Sequence, residues 1–234
     1  MAGRVEFDVL PNTTIYAAGG VSRYREDFVS SSHRIIDASG AAQATLAIQP
    51  QQIQGFSGEI GLRSEFDTGP VGHQFNVSVA RALNENYRGG FAPASIILPG
   101  TYPTNIYAPV YLPDGSVDTS GFPRSDNLPL FANLLATSVA VSDTLSFADD
   151  RFQLTLGGRY QEMRSESFNT RPDRGPIGTS TYLYEGGRFS PGIAASVGIT
   201  DNFSVYGNYV EGLTEGLIAP AAATNSGEMF PPCR

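Results

Sequence analysis

The residue types that usually carry catalysis are sparse in this chain. His33 and His73 are the only histidines, they lie far apart, and neither has a partner at metal-ligand spacing. The adjacent carboxylates Asp149 and Asp150 fit a tight turn better than acid and base catalysis or a Ca²⁺ site. Cys233 is the only cysteine, so the chain holds no disulfide or cysteine metal cage. No nucleophile elbow, phosphate loop or dinucleotide fingerprint occurs, and the sequence therefore predicts no enzyme and no cofactor.

Ligand binding by aromatic side chains is the other chemistry that the sequence offers. A stretch rich in Pro and Gly, over residues 88–127, carries several Tyr and Phe residues. Aromatic rings and phenolic hydroxyls can hold an organic ligand by packing and hydrogen bonding. Ordering of the loop by its own aromatic residues explains them equally well. The candidate ligand-binding residues are Tyr87, Phe91, Tyr102, Tyr107, Tyr111 and Phe122.

The elements that must position these residues are predicted to be β-strands. Apolar side chains recur at every second position, with polar ones between them, in stretches such as 56–66, 75–79, 152–160 and 193–199. Helical spacing explains none of these stretches. Each strand therefore has one apolar and one polar face. The polar rows hold Glu59, Arg63, Glu65, Gln153, Arg159 and Gln161.

The linkers between the strands alternate strictly between short and long. The short ones are rich in Asp, Asn, Gly and Pro, as tight turns require. This order predicts an antiparallel up-and-down sheet of about eight strands, with all short turns at one rim and all long loops at the other, as in outer-membrane β-barrels. Short turns lie near 11–13, 67–72, 148–150 and 200–202, and long linkers near 26–51, 88–127, 168–187 and 213–234.

Composition agrees with a barrel and excludes other classes. Hydrophobic residues make up 41% of the chain and charged residues 16%, which fits strands with one face on lipid and one on water. Acidic residues outnumber basic ones, 23 to 15, which argues against a nucleic-acid partner. No apolar run approaches the ~18 residues of a spanning helix. The start of the chain lacks a signal-peptide core, so we expect it to be a piece of a longer protein.

Three stretches resemble the barrel of TonB-dependent siderophore receptors, especially the ferrichrome and hydroxamate branch. They are GEIGLRSEFDTGPVGHQFNVSVA (58–80), DTLSFADDRFQLTLGGRYQ (143–161) and the segment 188–232. In the last, a strand with an "SP" start is followed by a "DN" turn, a "SVYGNYVEGL" strand and a loop closing on "GE.FPP". The residues that carry this resemblance are Ser190, Pro191, Asp201, Asn202, Ser204, Tyr206, Tyr209, Gly212, Gly227, Glu228, Phe230, Pro231 and Pro232.

The resemblance implies a partial barrel domain over 1–234, about eight strands of a 22-stranded barrel in the outer membrane of a Gram-negative bacterium. It implies uptake of a ferric siderophore, with iron present only as part of that ligand, and with outer-membrane lipid, a plug domain and the TonB complex as partners. The aromatic loop residues would hold the siderophore. The polar rows would face the lumen and the plug, or would simply be a wetted wall. The plug itself is not recognisable in this sequence.

Two alternatives stay open on the residues alone. A complete small outer-membrane channel or adhesin of eight strands requires the last strand to pair with the first. A soluble secreted β-sandwich, a binding module, would show the same alternation strand by strand, and it predicts a water-soluble product that needs no detergent.

Overall fold

A single antiparallel sheet makes up nearly all of the described structure. The computed structural model describes residues 1–89, 102–111 and 127–213, together with 216, 219, 223–225 and 228. Within these residues the sheet has nine strands, and a 3₁₀ turn, Pro172–Arg174, lies between two of them. The strands are β1 (Ala2–Leu10), β2 (Thr13–Ile35), β3 (Ala41–Thr68), β4 (Val71–Arg88), β5 (Tyr102–Asn105), β6 (Leu130–Phe147), β7 (Phe152–Phe168), β8 (Ser180–Thr200) and β9 (Phe203–Val210).

The sheet is up-and-down, as predicted. Its spatial order is β1-β2-β3-β4-β6-β7-β8-β9, so the long strands pair with their neighbours in sequence, while β5 pairs with the start of β3. The predicted antiparallel architecture and the prediction of about eight strands are confirmed. Within the described sheet β1 and β9 are the two edges, so the first-to-last pairing of a complete eight-stranded barrel does not occur in it.

The four short connections lie where the turn residues predicted them, at 11–12, 69–70, 148–151 and 201–202. Gly69 has a φ of 66°, which glycine adopts without steric cost. Ala148, Asp149 and Asp150 all have positive φ as well, at 53°, 53° and 64°. Aspartate tolerates this left-handed region better than most residues, so the carboxylate pair serves a tight turn. The edge of the sheet formed by these connections is called the short-turn rim below.

The structure differs from the predicted long linker over 26–51. There β2 and β3 continue as paired strands to Ile35 and Ala41, and only residues 36–40 form the connection. The predicted linker over 168–187 is also shorter, because β8 already begins at Ser180. Residues 30–34 of β2 are all polar, so the alternation that indicates a strand is lost there while the backbone pairing with β3 continues.

One face of the sheet is apolar and the other is polar, and this difference continues across neighbouring strands. Ile60, Val79, Val139 and Tyr160 lie side by side across β3, β4, β6 and β7. These four side chains are all exposed. We call this side the apolar face. In the described residues no second sheet covers it, so the sheet lacks the second layer of a soluble sandwich.

Among the described residues, no helix has both the length and the apolar character needed to pass through a membrane.

Candidate functional site

The opposite side, the polar face, is concave and forms an open groove of about 780 Å³. Its lining comes from six strands, which a flat sheet could not bring around one volume. Small residues form much of the floor, and charged or amide side chains stand at its sides. One lining residue from each of β1, β2, β3, β4, β6 and β7 is Arg4, Ala18, Glu59, Ala80, Ser138 and Gln161.

Strand register brings the six predicted lumen residues onto this one face. Glu59 of β3 lies in a row with Ala80, Ser138 and Gln161. The row through Arg159 of β7 reaches Gly61, which lies between Glu59 and Arg63 on β3. By the same pairing Glu65 and Gln153 lie nearer the short-turn rim. Facing a lumen or a plug remains a prediction for these side chains.

A hydrogen-bonded cluster on β1, β2 and β3 includes two of the predicted residues. Tyr16 donates its hydroxyl to Glu59 Oε1 at 2.5 Å, and only 4% of Tyr16 is exposed. The guanidinium groups of Arg4 and Arg63 lie 4.5 Å and 5.5 Å from the Tyr16 ring centroid. Both arginines also pair with Glu6 Oε1, at 2.6 Å and 2.7 Å. We call these five residues the Tyr16 cluster, and it fixes charges of both signs at the edge of the groove.

Sequence reasoning missed Tyr16 because a single tyrosine in an alternating strand looks like any other apolar-row residue. The feature that could have identified Tyr16 is a glycine on the neighbouring strand. Gly61 is the register partner of Tyr16, and a Cβ there would lie 2.5 Å from the tyrosine Cζ. The ring therefore lies over the glycine backbone, an arrangement in which an aromatic side chain covers the gap that glycine leaves in a sheet.

At the opposite end of the sheet, residues 102–111 lie against the connection between β2 and β3. Asn105 Nδ2 donates to the Ser39 carbonyl at 3.1 Å, and the Ile106 amide donates to the Gly40 carbonyl at 2.9 Å. The Tyr107 ring covers Gly40, where a Cβ would lie 2.6 Å from it. This unit, residues 36–44 with 102–111, is called the hairpin tip.

The predicted ligand-binding residues are partly brought together at the hairpin tip. Tyr102 belongs to β5, and Tyr107 and Tyr111 are 78% and 84% exposed nearby in the chain. Tyr87 is separate from them, because it pairs with Gln52 on β3 and hydrogen-bonds to Glu85 at 3.0 Å. Phe91 and Phe122 lie outside the described residues. A siderophore-binding role remains a prediction for all six.

Asp37 organises the hairpin tip. Its Oδ1 accepts hydrogen bonds from the Ser39 hydroxyl at 2.6 Å, the Ser39 amide at 2.9 Å and the Ala41 amide at 3.2 Å. These bonds hold the pKa of the Asp37 carboxyl below its usual value, and the bond from the Ser39 hydroxyl has the largest effect. The charged form of Asp37 therefore stabilises the turn.

His73 lies on the apolar face. Its Nδ1 is 2.8 Å from Asp143 Oδ2 and its Nε2 is 2.6 Å from Thr68 Oγ1, while its ring stacks on Phe66 with centroids 4.7 Å apart. The carboxylate that interrupts the apolar row of β6 thus has a partner on β4. This pairing gives His73 a defined structural setting near the short-turn rim.

An exposed apolar face, a concave polar face and strict up-and-down order together define the wall of a transmembrane β-barrel. Comparison with known proteins is consistent with this class. The family model described as "TonB dependent receptor-like, beta-barrel" matches residues 5–232. The chain belongs to the TonB-dependent receptor β-barrel family.

Two relatives share about the same level of identity with this chain. The ferrichrome receptor FcuA of Yersinia enterocolitica is 30% identical over 223 residues, which is 93% of this chain and 27% of the receptor. The crystal structure of BauA, the ferric preacinetobactin receptor of Acinetobacter baumannii, matches with a TM-score of 0.70 at 31% identity. This match covers 98% of this chain and 32% of the BauA chain. The chain therefore spans only about a third or less of these relatives.

A more distant structure supports the fold alone. The ferric-catecholate import receptor Fiu of E. coli K12 matches with a TM-score of 0.66 at 22% identity, over 99% of this chain and 36% of that receptor. The predicted resemblance to a siderophore-receptor barrel and the all-β fold class are thus confirmed.

Proposed function

We propose that this segment is part of the barrel wall of an outer-membrane receptor that takes up ferric siderophores with energy supplied through TonB. The observation that carries the proposal is the match of almost the whole chain to the family model, together with relatives at 30% and 31% identity that are receptors for ferrichrome and ferric preacinetobactin. Iron enters only as part of the cargo. The protein acts by binding and transport, without catalysis.

The polar face supplies the wall of the transport path in this proposal. The Tyr16 cluster holds its guanidinium and carboxylate groups in fixed positions, so it presents charges of both signs without needing to reorganise. A plug domain inside the barrel would contact such groups by hydrogen bonds and ion pairs. Gln153, Arg159 and Gln161 extend the same wetted surface along β7.

The hairpin tip supplies the first contact with the siderophore. Tyr107 and Tyr111 expose an aromatic ring and a hydroxyl each at the end of the sheet away from the short-turn rim. A ferric siderophore is a compact organic complex, and tyrosine can both pack on it and donate a hydrogen bond. The Asp37 turn and β5 keep these rings on an ordered support.

A transport assay tests the proposal. The intact receptor would be expressed in a Gram-negative strain that lacks its own siderophore receptors, and uptake of radioactive iron would be followed with ferrichrome and with a catecholate siderophore. We expect TonB-dependent uptake of at least one of them. Replacing Tyr107 and Tyr111 together by alanine should weaken binding by about tenfold, a loss typical of two aromatic contacts.

Tyr160→Ala is the matched control, because Tyr160 is an exposed tyrosine that lies on the apolar face, away from the hairpin tip. It should leave siderophore binding unchanged. Iron uptake that is identical with and without the receptor, for every siderophore tested, would contradict the proposed function. Equal losses for Tyr160→Ala and the hairpin-tip variant would contradict the assignment of the binding surface alone.

A further inference from the structure

Strand β8 has a neighbour on both sides only over the half that lies nearer the short-turn rim. β7 pairs with β8 from Val197 up to Ser180, whereas β9 pairs only with residues 192–200. Beyond that pairing one backbone bond remains, from the Glu211 amide to the Pro191 carbonyl at 3.2 Å. In the part of the chain that the structure describes, residues 180–190 therefore form an open strand edge, which we call the β8 edge.

Pro191 explains why β9 pairs no further. Proline has no amide hydrogen, so Pro191 accepts a bond from the next strand but cannot donate one. The Glu211 carboxylate also pairs at 3.3 Å with Arg188, which lies beside Gln161 on the polar face. Residues 212 and 213 then line a cavity of about 400 Å³ together with Gln161. The chain after β9 thus turns toward the polar face and away from the β8 edge.

The β8 edge lies above the lipid. Pro191 comes nine residues before Thr200, the last residue of β8 at the short-turn rim. At about 3.4 Å per residue and a tilt of about 40°, nine residues rise about 23 Å, close to the height of the apolar band of such barrels. Unpaired backbone groups are costly in hydrocarbon, whereas water satisfies them above the band. The β8 edge can therefore stay exposed, and a partner in water can reach it.

The backbone groups of β8 point alternately toward β7 and toward the open side. The Pro191 carbonyl faces the open side, because it accepts the Glu211 amide. By alternation the amide and carbonyl groups of four further residues face the same way: Leu183, Glu185, Gly187 and Phe189. Pairing with β7 holds this row straight. The row matches the spacing of an added strand, the arrangement by which extended peptides bind exposed sheet edges.

Three carboxylates and one guanidinium lie beside the β8 edge, on the same side of the sheet as the apolar face. The register partners of Gly187, Glu185 and Leu183 on β7 are Glu162, Arg164 and Glu166. Arg164 bonds to Glu185 at 2.6 Å and to Glu166 at 3.1 Å. Glu162 leans over Gly187, where its Cγ would lie 3.4 Å from an added Cβ. One guanidinium cannot balance three carboxylates, so this surface favours a cationic partner.

We propose that the β8 edge binds an extended basic peptide of a partner protein as an added antiparallel strand. The peptide side chains opposite Gly187 and Glu185 are basic, because the glycine leaves room to reach Glu162 and the Glu185 side chain is 58% exposed. Those opposite Leu183 and Phe189 are apolar, because these two residues are exposed. The peptide therefore has the pattern apolar-x-basic-x-basic-x-apolar. This surface depends on the barrel wall and is independent of the cargo.

Fluorescence anisotropy with the intact receptor in an uncharged detergent tests the surface. The probe is the labelled peptide Val-Thr-Arg-Thr-Arg-Thr-Val with blocked ends, and the same peptide with Glu in place of Arg is the charge-reversed control. We expect saturable binding of the probe and at least tenfold weaker binding of the control peptide. Glu162→Gln combined with Glu185→Gln should weaken probe binding about tenfold, a loss typical of charged hydrogen bonds.

The matched control variant is Asp149→Asn combined with Asp150→Asn, which removes two exposed carboxylates at the short-turn rim. It should bind the probe as the unmodified receptor does. Unchanged binding by the Glu162→Gln, Glu185→Gln variant, with a folded receptor shown by its heat-modifiable band, would overturn the proposal. So would a probe that does not bind the unmodified receptor.

Two methylated probes separate strand addition from charge attraction alone. In an added strand the amides of the two arginines face β8, and those of the threonines between them face away. N-methylation of the arginine amides should therefore abolish binding, whereas N-methylation of two threonine amides should leave most of it. Equal binding of the two methylated peptides would show that the probe does not add as a strand, and would overturn the proposal.

Discussion

The His73–Asp143 pair on the apolar face should be a measurable source of stability. His73 lies opposite Leu145, and Asp143 lies opposite Phe75, so apolar neighbours surround both members. Their side chains are 15% and 30% exposed. Replacing His73 by alanine leaves the Asp143 carboxylate without its imidazole partner in this setting. We expect the intact receptor to lose stability.

The size of the loss follows from the exposure of the pair. Leaving a buried charged group without its hydrogen-bond partner costs about 1–3 kcal/mol or more, whereas an exposed pair contributes about 0–1 kcal/mol. The pair lies between these limits and nearer the buried one, so we expect His73→Ala to cost about 2 kcal/mol. Replacing both members by apolar residues, as His73→Phe with Asp143→Leu, removes the carboxylate and should restore stability to within about 1 kcal/mol.

Equilibrium unfolding of the intact receptor in urea, with detergent present and far-ultraviolet circular dichroism as the signal, measures these differences. The single variants His73→Phe and Asp143→Leu and the double variant together form a double-mutant cycle. A coupling energy below about 0.5 kcal/mol would refute the idea that the pair acts as a unit. So would a double variant that is less stable than either single variant.

Three further predictions concern the Tyr16 cluster, the hairpin tip and the sheet edges. Gly61→Ala should displace the Tyr16 ring and cost about 1–3 kcal/mol in the same unfolding assay. Gly192→Ala should cost less, because a Cβ at Gly192, on the interior strand β8, would meet Val210 only at 4.0 Å. The pKa of Asp37 is lowered in the folded protein, so the charged carboxylate stabilises the fold. This stabilisation is fully present above the unfolded pKa of about 3.9 and is lost as the pH falls through the folded pKa. The protection factors of the amides at 36–41, which correct for the intrinsic pH dependence of exchange, should therefore fall in acid, and Asp37→Asn should remove that change. The isolated 234-residue segment should aggregate in detergent, because β1 and β9 leave unpaired edges; a heat-modifiable, protease-resistant monomer would contradict this.

The sheet could be predicted because its main signal is local. Alternation with a period of two follows directly from strand geometry, and residues such as Gly69, Asp149 and Asp150 indicate the short turns. The continuation of β2 and β3 to the hairpin tip was not predicted, because residues 30–34 of β2 are all polar and lack the alternation that indicates a strand. Tyr16 was missed because its role depends on Gly61 of the next strand, which only register reveals.

The sequence by itself determined that the chain forms strands with one apolar and one polar side, joined by tight turns at one rim, because those properties depend on neighbouring residues. Tertiary structure alone decided which side chains meet. Pairing between strands placed Asp143 beside His73 and Tyr16 over Gly61, although neither contact is visible in the order of residues. Such contacts depend on register, which many weak interactions along two strands set together.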